Sequence, residues 1–138
     1  MVFNKSGKLL KNTNVYYGNT KIDIVQNFVY LGIKFSTSGN WNEALKDLKT
    51  RGLRAYFKMR KLLGNLFTQD IILSLKLFDS LVKPILLYCS DIWGADERLN
   101  DISPIEQVHT KFLKQLLQVN TKATNIGVRA ELGRIPTH

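Results

Sequence analysis

Residues 40–66 read NWNEALKDLKTRGLRAYFKMRKLLGNL, and this stretch settles the fold class. Trp41, Ala44, Leu45 and Leu48 fall at i, i+3, i+4 and i+7. Ala55, Tyr56, Met59, Leu62, Leu63 and Leu66 continue that apolar face, so the spacing predicts a long amphipathic helix. Gly52 sits mid-helix, at about 1 kcal/mol relative to alanine, and Gly64-Asn65 ends the pattern. The polar side of the same stretch is strongly basic. Lys46, Lys49, Arg51, Arg54, Lys58, Arg60 and Lys61 place seven cations in sixteen residues, against the one acid Asp47. Arg51, Arg54, Lys58 and Lys61 are spaced three, four and three apart and share one helical stripe. A solvated helix face and a rail for a nucleic-acid backbone, with Phe57 as an aromatic contact, both satisfy that spacing.

Outward from this helix the pattern changes. Toward the N-terminus, Met1–Phe3 reads as a strand stub. Val15–Tyr17 and Lys21–Val25 read as strands around the turn Gly18-Asn19-Thr20, and Phe28 to Phe35 as one further strand. Toward the C-terminus, Thr68 is placed to cap a second helix, Gln69 to about Val82, which is apolar nearly all round. Pro84 then demands a break or kink, because it lacks an amide donor and restricts the residue before it. A further helix is expected from Pro84 to Trp93, then a polar loop from Gly94 to Asp101. Ser103-Pro104-Ile105-Glu106 has the form of a helix start, with a serine cap and a glutamate placed to close a capping box. Thr124 is placed to cap a last short helix ending near Gly133. The sum is α+β and mainly α, a short β portion followed by a helical bundle.

The whole chain has 138 residues, 44% of them hydrophobic, which is enough for a sizeable core. Its formal net charge is +9, the sign that draws phosphate polymers. The single cysteine, Cys89, excludes an internal disulfide framework and fits a reducing, intracellular compartment, nucleus or cytoplasm. The triplet Asn4-Lys5-Ser6 matches a glycosylation acceptor, with nothing else in the chain pointing to secretion. The most apolar stretch, Ile71 to Trp93, is interrupted by Lys76, Asp79, Lys83 and Asp91, so it reads as protein core and not as a membrane span.

Residues with catalytic potential are few. His109 lies beside the apolar face of its helix, where a structural histidine is the commoner case, and His138 is the last residue. One cysteine and no close His/Asp/Glu cluster argue against a zinc site. Asp96, Glu97 and Asp101 fit a solvated loop. The acids are too scattered for two-metal phosphoryl transfer, and no Walker-type glycine loop occurs. The reading is therefore no catalytic residue and no metal ligand.

Tyr30-Leu31-Gly32, between Phe28 and Ile33, resembles the Tyr-Leu-Gly segment of the primer grip in non-long-terminal-repeat (LINE-like) retrotransposon reverse transcriptases. Other features come in that family's order. Met1-Val2-Phe3-Asn4 is similar to the end of its palm strand, and Tyr17 to Ile24 to its next hairpin. Ser36-Thr37-Ser38-Gly39 leads into the basic helix. Leu77 to Tyr88 is close to the thumb helix pair, and Ser90-Asp91-Ile92-Trp93-Gly94 to its small-acid-x-Trp-Gly ending. Ile105 to Leu117, and Ala130 to Pro136, agree with the family's segment beyond the thumb.

The resemblance implies an end of palm and primer-grip strands over 1–39, a helical thumb over 40–118 and a truncated post-thumb segment over 119–138. It implies that Tyr30, Leu31 and Gly32 position a primer terminus. Lys46, Lys49, Arg51, Arg54, Lys58 and Lys61 would track the backbone of an RNA/DNA template–primer, and Trp93 and Tyr88 would pack the thumb. The family's palm aspartate and Tyr-x-Asp-Asp hairpin, which hold its magnesium ions, have no counterpart in these residues. The chain would then be no RNA-directed DNA polymerase by itself and would carry no cofactor. It would work with the palm and fingers of a parent polymerase, away from any membrane. A free-standing basic helical RNA- or DNA-binding protein and a non-functional pseudogene fragment are the alternatives that the same residues allow.

Overall fold

The computed structural model describes residues 1–3, 14–94 and 103–135. The triplet Asn4-Lys5-Ser6, the acids Asp96, Glu97 and Asp101, and residues 136–138 lie outside them. The architecture is α+β, with two small antiparallel hairpins followed by helices. The chain divides into two compact units, Met1–Asp47 and Leu48–His138.

The first unit holds both hairpins. Strands β1 (Val15–Tyr17) and β2 (Thr20–Ile22) pair with Tyr17 opposite Thr20, across a turn that Gly18 enters at φ 57°. β2 is shorter than the alternation of Lys21–Val25 predicts, and every residue of both strands is exposed. Met1–Phe3 forms no strand. The expected single strand Phe28–Phe35 is instead a hairpin, β3 (Asn27–Tyr30) and β4 (Ile33–Ser36). Leu31 and Gly32 both adopt positive φ, 48° and 80°, so the chain reverses there. Positive φ at both central residues is the pattern of a type I′ turn, whose twist matches that of the strands it joins. Thr37 N–H donates to the Gln26 carbonyl at 3.0 Å just beyond the pairing. Ile33 is buried, and Phe35 meets Trp41 edge to face at 5.5 Å between ring centroids.

Helix α1 (Asn42–Leu63) begins in this unit, with Ala44 and Leu45 buried. Glu43 in its first turn takes Lys34 of β4 at 3.3 Å and Lys46 at 3.2 Å. The hydrogen bonds from Lys46 and Lys34 hold its carboxyl below the usual range.

The second unit continues α1 and adds α2 (Leu66–Gln69), α3 (Ile71–Leu77), a π-helical segment (Phe78–Val82), α4 (Lys83–Leu86), α5 (Ser90–Trp93), α6 (Pro104–Leu116) and α7 (Asn125–Glu131). On α1 the buried row runs Leu48, Gly52, Tyr56 and Met59. Leu62, 85% exposed, and Leu66 fall outside it, contrary to their place in the expected apolar face. Leu62 is one step round the helix from the row, and Gly64 at φ 51° closes α1 before Leu66. Phe67 supplies the buried side chain there.

The cap of the next helix is Asp70 and not Thr68. Its carboxylate accepts the Leu73 amide at 2.8 Å, which satisfies one of the donors that a helix start leaves open. Pro84 is taken up within helical structure by the π segment ahead of it, where the Lys83 amide reaches back to the Phe78 carbonyl. The wider turn relieves the clash that a proline ring makes with the preceding turn. The Ser80 hydroxyl donates to the Lys76 carbonyl at 2.9 Å beside it. The expected helix from Pro84 to Trp93 is broken in two by Cys89, whose φ is 56°. Trp93 is fully buried and donates from Nε1 to the Tyr88 carbonyl at 2.9 Å. Tyr88 itself is 43% exposed, so of the two aromatics assigned to packing only Trp93 is core.

The centre of this unit is aromatic. Phe78 and Phe112 stack with centroids 4.0 Å apart, and Tyr56 meets Phe112 edge-on at 5.9 Å. Phe67 meets Phe112 at 6.1 Å. Such pairs add about 0.5–1.5 kcal/mol each beyond the area they bury. Val82, Leu86, Val108, Leu113 and Leu116 fill the space around them.

Candidate nucleic-acid interface

The basic residues of α1 separate into two sets. Arg54, Lys58 and Lys61 are exposed, on the side of the helix away from buried Leu48, Tyr56 and Met59, with Arg51 half-buried at the head of the same stripe. Lys46 and Lys49 lie elsewhere. Lys46 pairs with Glu43, and Lys49 donates to the Gln107 side chain of α6 at 2.5 Å. Arg60, outside the expected rail, sits over the Phe67 ring at 5.6 Å and reaches Gln115 at 3.4 Å. Phe57 is 47% exposed, as an aromatic contact requires, and Lys111 of α6 stands over its ring at 5.0 Å.

Tyr30, Leu31 and Gly32 come together at the tip of the β3–β4 hairpin. Tyr30 is 59% exposed and pairs with Ile33 across the turn, and Leu31 is 72% exposed. An exposed leucine at φ 48° is unusual, because a branched side chain gains nothing there and the left-handed region costs an L-residue roughly 1–2 kcal/mol. Glycine at φ 80° has no such penalty and leaves the backbone open to close approach.

A buried charged cluster joins α6 and α7, and nothing in the spacing of the sequence points to it. Glu106 carries a 1% exposed side chain and accepts from Arg129 of α7 at 2.7 Å. It also faces His109 Nδ1 at 3.2 Å, and Arg129 reaches the Thr110 hydroxyl at 3.5 Å. The expected serine cap is not made, because the Ser103 side chain forms no cap hydrogen bond, and Glu106 reaches inward to the guanidinium. The Ser103 hydroxyl is buried with no hydrogen-bond partner among the described residues. His109 stacks on Phe78 at 5.7 Å, a packed position in the core. Arg134 and Asp79, 2.8 Å apart, tie the segment after α7 to the π-helical turn.

Tyr56 is another polar group held in the core. Its hydroxyl donates to Gln115, and burial pushes its pKa up to about 12 against the opposing charge of Arg60. Among the described residues no three His, Cys, Asp or Glu side chains gather to hold a metal ion. None of their helices is long and apolar enough to cross a membrane. The arrangement offers chemically a row of charge, a strained exposed turn and an exposed ring. No family model, curated protein or solved structure matches the chain.

Proposed function

We propose that this chain is the substrate-holding part of a retrotransposon-type reverse transcriptase, binding an RNA/DNA template–primer while residues beyond it supply catalysis and magnesium. The observation that carries this reading is the stripe Arg54, Lys58 and Lys61, exposed along one side of α1. Cations in a helical row neutralise successive phosphates and release counterions, which gives affinity without sequence preference. Arg51, half-buried at the head of the stripe, extends it, while Lys46 and Lys49 are engaged with Glu43 and Gln107 and fall off it. The exposed turn Tyr30-Leu31-Gly32 supports the second half of the reading, contact with a primer end. On this account the chain incorporates no nucleotides by itself.

A free-standing nucleic-acid-binding protein is the second reading, favoured by the aromatic core that the second unit closes within itself around Phe112. Salt titration tests the common core of both. With about five phosphates neutralised, log affinity for a single strand falls against log salt with a slope near −3.5. Replacing Arg54, Lys58 and Lys61 with glutamine flattens that slope by about 2. An unchanged slope overturns the rail. Nucleotide incorporation by the pure chain overturns the division of labour with a parent polymerase.

A further inference from the structure

Within the second unit, a cavity of about 300 Å³ opens between the outer face of α6 and the segment leading into α7. That volume is at the lower end of the range small-molecule sites use, about 300–1,000 Å³. Thr110, Lys111, Lys114, Gln115, Thr121 and Asn125 are among the residues that line it, and no acidic side chain among the described residues does. Its wall is built and not incidental. Lys114 Nζ donates to the Thr121 carbonyl at 2.7 Å, which fixes the segment after α6 against the helix. Gln115 is held by the Tyr56 hydroxyl, and Thr110 by Arg129. Lys111 is exposed, and its ammonium lies over the half-exposed Phe57 ring of α1.

Two ammonium groups with no acid on the same wall select an anion. Side-chain amides and hydroxyls beside them suit a flat body with donors and acceptors along its edge, and the half-exposed Phe57 ring under the Lys111 ammonium suits stacking. An acidic peptide answers the first feature only. We propose that this pocket takes a single unpaired nucleotide, with its phosphate at Lys111 and Lys114 and its base among Thr110, Gln115 and Asn125. Lys111 moves from Phe57 to the phosphate, and the freed ring stacks a neighbouring base. The inference rests on the nucleic-acid reading above and deepens it: the chain grips a single-stranded segment here, apart from the backbone contacts of the stripe.

The test is residue-resolved NMR on the full chain, titrated in turn with adenosine 5′-monophosphate, uridine 5′-monophosphate, inorganic phosphate and a glutamate-rich peptide. The nucleotides shift Thr110, Lys111 and Asn125. Lys111→Gln, at an exposed position, weakens them about tenfold, the worth of one charge-assisted contact. A variant neutralised at Arg54, Lys58 and Lys61 keeps nucleotide affinity. In parallel, an RNA/DNA hybrid with a single-stranded overhang binds the wild type more tightly than a blunt one, and Lys111→Gln loses that difference. Equal shifts with inorganic phosphate, equal competition by the peptide, or no response at the pocket overturn the proposal. If the pocket stays silent while hybrid binding tracks the stripe, this inference fails and the proposed function stands. If nucleotides fill the pocket but neither hybrid is bound, the proposed function fails instead.

Discussion

Gly52 and Leu86 are so close that a Cβ on Gly52 would lie 2.2 Å from Leu86 Cδ2 and 3.0 Å from its Cγ. This contact explains a glycine in the middle of a 22-residue helix, where propensity alone argues against one. Leu86 is fully buried, so it has no free rotamer into which to retreat. The Leu86 side chain can lie against α1 here because Gly52 brings no side chain.

Gly52→Ala therefore sets two effects against each other. Helix propensity favours alanine by about 1 kcal/mol, while overpacking a closed core costs about 1–3 kcal/mol. The clash wins, and the variant loses on the order of 1 kcal/mol in urea unfolding. In a Leu86→Ala background the obstacle is gone, and the same substitution turns neutral or stabilising. A loss of the same size in both backgrounds would show that Leu86 is not the cause.

The buried pair Glu106–Arg129 gives the second expectation. Removing one partner of a buried ion pair strands the other, at about 3–5 kcal/mol. Arg129→Met should approach that cost. The double variant Glu106→Leu/Arg129→Met should recover most of it, because no buried charge is left uncompensated. A double variant as unstable as the single one would mean that the pair works through packing and not through charge.

Tyr56 links stability to alkaline pH. Its hydroxyl is held neutral in the folded chain, with a pKa pushed up to about 12 by burial, against an ordinary 10. Between those values the folded state keeps a proton that the unfolded state releases, so stability falls as pH rises through that window. Below pH 10 the contribution is complete. Tyr56→Phe removes this dependence, and the difference in thermal midpoint between the two proteins should narrow from pH 10 to pH 12. A constant difference across the window would refute it.

How far the sequence discloses this molecule depends on the range of the interactions. The class, the long helix α1 and the exposed stripe Arg54–Lys58–Lys61 come from spacing along one element, which is local and periodic. Glu106 illustrates the limit. Three residues after Ser103 it satisfies a local capping rule, yet a guanidinium 23 residues away holds it, and no periodicity announces that partner. The split of Phe28–Phe35 into a hairpin is masked because most of its residues favour strands. The signal is Gly32, a residue that seldom strengthens a strand interior. Cys89 at φ 56° carries no local warning at all, since it is neither glycine nor asparagine.

Leu31 provides the last expectation, and it separates stability from function. A two-residue turn with both φ values positive prefers Asn-Gly, and the chain has Leu-Gly. Leu31→Asn should relieve the left-handed leucine and stabilise the β3–β4 hairpin by about 0.5–1 kcal/mol, seen as slower amide hydrogen exchange at its paired residues. Gly32→Ala should do the opposite, because alanine meets strain at φ 80° that glycine does not. If the exposed leucine is retained to touch a primer end, Leu31→Asn will bind a primer-terminated hybrid more weakly despite its firmer turn. Slower exchange with unchanged binding would confine Leu31 to the turn and remove it from the grip. Strain at an exposed tip persists where the surroundings or a task hold it, and this substitution decides between them.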